Sequence, residues 1–163
     1  MDSRLVDLST RDATAFYRLG LFTGGDLVTY AQSALQRGVR SDALSVLAGE
    51  LHPDMDVVGP LFARTLDQLC ISNPTKIGAQ LTVAHFYAKA IREGHLTPYD
   101  GARKIWWDIS NELDSPAPIL LTFEGAASEI EDLPGRYAGE EYNPTPLTLK
   151  NTKRRLLRQL KSY

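Results

Sequence analysis

Asp108 and Glu112 are the two side chains whose type and spacing come nearest to chemistry. They stand four residues apart in the run Trp106-Trp107-Asp108-Ile109-Ser110-Asn111-Glu112, so on a helix both carboxylates share a face. Like charges at that spacing repel and require a partner. A divalent cation or an acid–base couple would supply one. A lysine or arginine from a neighbouring helix, or plain solvation, would serve as well and is the preferred reading. Trp106 falls on the apolar stripe of this segment, whereas Trp107 is turned about 100° away from it. A tryptophan exposed beside carboxylates has the composition of a binding hot spot; the edge of a core is the alternative.

The remaining reactive residue types are thinly spread. His52, His85 and His95 are the only histidines, and none has a second histidine four residues away. With Cys70 as the one cysteine, neither an internal disulfide nor a Cys/His zinc set can form within one chain. His85 is expected to be partly buried on a long helix, His52 and His95 to lie at turns, and Cys70 to be an inert core residue. Gly24-Gly25 is not followed by Gly-Lys-Ser/Thr, and no Gly-x-Ser-x-Gly or dinucleotide fingerprint occurs. We therefore expect no catalytic residue, metal or cofactor. An unrecognised metal-dependent or acid/base enzyme centred on Asp108, Glu112 and His85 is a rival reading.

Charge is distributed less evenly than its net value of −2 suggests. Between Glu124 and Glu141 stand Glu124, Glu129, Glu131, Asp132, Glu140 and Glu141 against Arg136 alone. Beyond Glu141 every charged side chain is basic: Lys150, Lys153, Arg154, Arg155, Arg158 and Lys161. Three arrangements are open. The basic segment folds back on the acidic one, it forms a solvated face, or one of the two meets a charged partner. Nucleic acid is the weaker version of the last, because the net charge is negative and no aromatic side chains interleave with the arginines.

These residues need helices to position them. The 163 residues suit one domain, and 43% apolar and 23% charged side chains are ordinary globular proportions. Apolar residues recur at helical spacing almost throughout. Ser9 or Thr10 caps a helix to about Leu19 that Gly20 ends. Thr23 and Asp26 form a capping box for the next, with Leu27, Ala31, Ala34 and Leu35 inward and Gly38 as its stop. Ser41 starts a short third helix ending near Gly49, and 51–56 reads as a turn. A fourth covers about 57–71, with Pro60 in its first turn and Leu61, Phe62, Leu66 and Leu69 inward. A fifth covers about 74–93, its stripe being Ile77, Leu81, Ala84, Ala88 and Ile91. Thr97-Pro98 begins a sixth, with Ala102, Ile105, Trp106, Ile109 and Leu113 inward. Further helices are expected over about 118–131 and 147–162, separated by a long surface loop at 133–146. The fold class is thus all-α: one domain over 1–163, a bundle or short helical-hairpin array of about seven or eight helices. Gly20–Asp26 and Gly94–Asp100 share a pattern of helix stop, apolar residue, Thr cap and Asp, which reads as shared capping chemistry rather than a repeat.

The opening MDSRLVDLST has no basic segment leading into an apolar run, and no stretch approaches the length of a membrane span. A cytoplasmic location is the expectation.

The stretch Leu19-Gly20-Leu21-Phe22-Thr23-Gly24-Gly25-Asp26-Leu27-Val28-Thr29-Tyr30-Ala31 resembles the opening of several small bacterial helical families. Ile105-Trp106-Trp107-Asp108-Ile109 and Glu129-Ile130-Glu131-Asp132-Leu133-Pro134 add to the likeness, which covers about half the chain. Some such families are similar to immunity proteins, which neutralise a cognate toxin. The resemblance implies a binding protein rather than an enzyme. Its contact residues would come from Glu124, Glu129, Glu131 and Asp132, with Trp107, Asp108 and Glu112, and its partner would be another protein, such as a basic toxin domain. A homodimeric regulatory or scaffold protein is the alternative of a different class.

Overall fold

The computed structural model describes residues 8–110. Every regular element among them is helical and none is a strand, so the chain is all-α. None of the described helices is long and apolar enough to cross a membrane. The expected helices over 118–131 and 147–162 and the loop at 133–146 lie outside the described residues, as does Leu113. The chain divides into two compact units, Met1–Ala79 and Gln80–Tyr163.

The first unit contains α1 (Thr10–Arg18), α2 (Gly24–Gln36), α3 (Asp42–Ala48) and α4 (Met55–Gln68). Short polar side chains start each of them, because a hydroxyl or carboxylate just outside a helix satisfies amides that have no carbonyl partner within it. Ser9 Oγ accepts from the Asp12 N–H at 3.1 Å and Ser41 Oγ from the Leu44 N–H at 3.1 Å. At α2 the bonding is reciprocal, as the residue types require: the Thr23 N–H donates to Asp26 Oδ2 at 2.9 Å and the Asp26 N–H to Thr23 Oγ1 at 3.3 Å.

Helices α2, α3 and α4 pack on one another. Their contact is built from Leu27, Tyr30, Ala31, Ala34, Leu44, Leu47, Val58, Phe62 and Leu66, all buried. The Phe62 ring takes Tyr17 edge-on at 4.9 Å and Tyr30 edge-on at 5.7 Å between centroids. Polar ties fix the helices further. Gln68 Oε1 accepts from Ser41 Oγ at 2.7 Å and the Ala43 N–H at 3.0 Å, and Gln32 Nε2 donates to the Ala48 carbonyl at 3.1 Å. The tightest approach is at Gly24, where a Cβ would overlap the Pro53 carbonyl oxygen. Leu35, Leu61 and Leu69, expected inward, are only half-buried.

Two local readings are corrected here. Helix α4 starts at Met55, because Asp54 caps it by accepting from the Asp56 N–H at 2.9 Å. Pro60 therefore lies beyond the first turn, and the Asp56 carbonyl has no helical donor. Both residues are exposed, so water can take that carbonyl. Cys70 is exposed rather than in the core. It occupies the left-handed position that closes α4, with φ +55°. The Cys70 N–H donates to Asp67 O at 3.0 Å and the Ile71 N–H to Leu66 O at 2.9 Å, the two bonds of a Schellman ending. The same ending follows α1 and α2 at Gly20 and Gly38, also with positive φ.

Helix α5 (Lys76–Arg92) starts in the first unit and continues into the second, where α6 (Pro98–Ile105) and a π-helical turn (Trp106–Ser110) follow. The buried positions of α5 are Ala79, Gln80, Val83, Ala84, Tyr87, Ala88, Ala90 and Ile91. Ile77 and Leu81, expected inward, are exposed, and so is His85, expected partly buried. Gly94 ends α5 with positive φ. Thr97 then caps α6, its Oγ1 accepting from the Asp100 N–H at 3.0 Å, with Pro98 in the first turn.

Candidate protein-binding site

Within the second unit, the α5–α6 hairpin positions the residues singled out around Trp107. Its junction is compact because Gly101 has no side chain: a Cβ there would overlap the Cγ1 and Cδ1 atoms of buried Ile91. Ala102, Ile105 and Ile109 complete the buried face. The change from α- to π-helical bonding over Trp106–Ser110 widens the turn, a departure that costs hydrogen-bond geometry and recurs at functional sites.

Asp108 sits on that turn, half-buried. The Tyr87 hydroxyl donates to Asp108 Oδ2 at 2.7 Å. A phenol on α5 thus supplies the partner that the carboxylate requires. Tyr87 is itself buried and lies under Lys104, whose Nζ stands 5.6 Å from the ring centroid, within range of a cation–π attraction. Phe86 meets the Tyr87 ring at 5.8 Å. Trp106 is half-buried, and Trp107 is 54% exposed. The two indoles meet nearly perpendicular, with centroids 5.9 Å apart. The arrangement offers an aromatic surface beside an oriented carboxylate, flanked by a lysine.

The structure therefore brings Trp107 and Asp108 together and adds Tyr87 and Lys104, which sequence reasoning missed. Tyr87 carried a faint signal, since it adjoins Ala88 on the expected stripe of α5. Glu112, Glu124, Glu129, Glu131 and Asp132 lie outside the described residues. No hydrogen bond or ion pair joins His85 to Asp108, and among the described residues no group of three or more His, Cys, Asp or Glu could hold a metal ion. The chain matches no protein-family model, no curated protein and no solved structure.

Proposed function

We propose that this chain is a protein-binding module that performs no chemistry of its own, and that Trp107 and Asp108 belong to its contact surface. The observation that carries the reading is a tryptophan more than half exposed beside a carboxylate held in place by Tyr87. Rigid aromatic side chains flanked by oriented polar groups dominate binding energy at protein interfaces. Holding the carboxylate before contact reduces the ordering cost of association.

The finer reading is an immunity protein that neutralises a basic toxin domain in the cytoplasm. Its support is the resemblance carried by residues 19–31, 105–109 and 129–134, together with the acidic run Glu124, Glu129, Glu131 and Asp132. Charge matching of that kind speeds association and restricts partner choice. The exposed thiol of Cys70 suits a reducing compartment.

The test is quantitative capture from the native host with wild-type protein and with Trp107→Ala as parallel baits, each first shown to be folded. The expected result is a basic protein retained by the wild type and depleted at least tenfold by the substitution. Equal retention on both baits removes Trp107 from the surface. Stoichiometric metal in the purified protein would overturn the non-catalytic reading. A concentration-independent dimer that Trp107→Ala dissociates would replace it with the homodimeric scaffold.

A further inference from the structure

The first unit carries a second surface of different composition. Among its described residues the exposed large apolar side chains are Val46, Leu51, Met55, Val57 and Ile77, Leu51 to 84%. All but Ile77 fall within residues 46–57, the corner where α3 ends and α4 begins. Single exposed apolar residues are ordinary, but a concentration of them marks an interaction site. The same corner carries Glu50, Asp54 and Asp56, and from Ser41 to Ala63 the chain has neither lysine nor arginine.

This corner is held rigid. Gln68 grips the start of α3, Gln32 holds its end through the Ala48 carbonyl, and Pro53 is seated against Gly24. A surface fixed in advance spends little of its binding energy on ordering.

From this juxtaposition we infer that the α3–α4 corner docks a basic amphipathic helical segment of another protein. Its apolar side chains cover Val46, Leu51, Met55 and Val57, and its lysines or arginines face Glu50, Asp54 and Asp56. Charge selects this occupant over the others. A second copy meeting the same surface would set carboxylates against carboxylates, and an anionic bilayer would be repelled by them. Its residues belong to the first unit, those of the Trp107 surface to the second.

The test uses the full chain and a fluorescently labelled 14-residue leucine/lysine peptide patterned as an amphipathic helix, with its leucine/glutamate counterpart as control. Anisotropy should show binding of the basic peptide in the micromolar range, weakening several-fold as salt rises, and none of the acidic one. The triple substitution Val46→Ser, Leu51→Ser, Val57→Ser should weaken binding at least tenfold while leaving the circular dichroism spectrum unchanged. Glu50→Gln with Asp56→Asn should flatten the salt dependence. Trp107→Ala should leave the peptide affinity unaltered, which separates this site from the proposed one. Equal binding of both peptides, no binding of the basic one, or full affinity in the triple variant overturns the inference. So does self-association of the wild type that the triple variant abolishes, or binding to phosphatidylserine vesicles that it abolishes.

Discussion

The Tyr87 hydroxyl reaches from α5 to within 2.7 Å of Asp108 Oδ2 on the π-helical turn, so a mostly buried phenol holds a half-buried carboxylate. A hydrogen bond to a charged acceptor contributes about 1.5–3 kcal/mol, against about 1 kcal/mol between neutral groups. It also fixes which way the carboxylate faces beside Trp107. The remaining contacts of the Tyr87 ring, with Phe86 and Lys104, survive removal of the hydroxyl alone.

Tyr87→Phe should therefore lower stability by about 1–2 kcal/mol, while Asp108→Asn, which keeps an acceptor oxygen, should cost less. Urea unfolding followed by circular dichroism measures both. If Tyr87→Phe unfolds at the wild-type midpoint, the bond contributes nothing in solution, and the argument for a preset carboxylate fails with it.

Two adjacent glycines should respond in opposite ways. At Gly24 an added Cβ overlaps the Pro53 carbonyl oxygen, which is backbone and cannot swing aside, whereas at Gly25 the nearest atom is Thr23 Oγ1 at 3.9 Å. Gly24→Ala should cost about 2–3 kcal/mol or more through forced backbone movement. Gly25→Ala should be neutral or gain up to about 1 kcal/mol, because alanine narrows the unfolded ensemble. Parallel denaturation curves suffice, and equal midpoints for the two variants would contradict the packing of the 51–54 segment on α2.

The endings of the helices explain how much of this fold is legible in residue order, because caps are local. Ser9, Thr23, Ser41 and Thr97 each place an oxygen on an amide a few residues on, and neighbours in the chain suffice to see it. Asp54 is the exception: flanked by Pro53 and Met55, it reads as part of a turn. Burial is harder to read, since it depends on what packs opposite. In α5 the pair Ile77 and Leu81 forms one apolar row, and Ala79, Val83 and Ala90 with Tyr87 and Ile91 form another. The second row is the buried one, although both residues of the first are strongly apolar. The candidate site was half visible for the same reason. An exposed Trp107 follows from helical phase, whereas the donor to Asp108 is 21 residues away in the chain.

Cys70 offers a test of the α4 ending. A non-glycine residue at φ +55° carries a steric cost of about 1–2 kcal/mol, so Cys70→Gly should stabilise the protein by about 1 kcal/mol, and Cys70→Val should destabilise it. The exposed thiol should also react with an aromatic disulfide reagent in the native protein, to the extent of one thiol per chain. A thiol protected until urea unfolds the chain would return Cys70 to the core.

Tyr30 is buried, and its hydroxyl completes no hydrogen bond. Burial is the largest influence on the phenol and raises its pKa above the ordinary 10.0. The Thr10 side chain and the positive charge of Arg37 oppose the rise, the former near enough to favour the phenolate without the geometry of a full bond. A phenol whose pKa is higher folded than unfolded contributes fully below the unfolded value. Above pH 10 the unfolded chain releases its proton first, so stability falls as pH rises toward the folded pKa. Tyr30→Phe should remove that part of the decline and should be neutral or stabilising at pH 7, since no bond is lost and a buried polar atom disappears. Urea midpoints at pH 7 and across pH 9–11 give both readouts. An undiminished alkaline decline in Tyr30→Phe assigns the effect to other groups, and a loss of more than about 1 kcal/mol at pH 7 would show that the hydroxyl does make a net hydrogen bond.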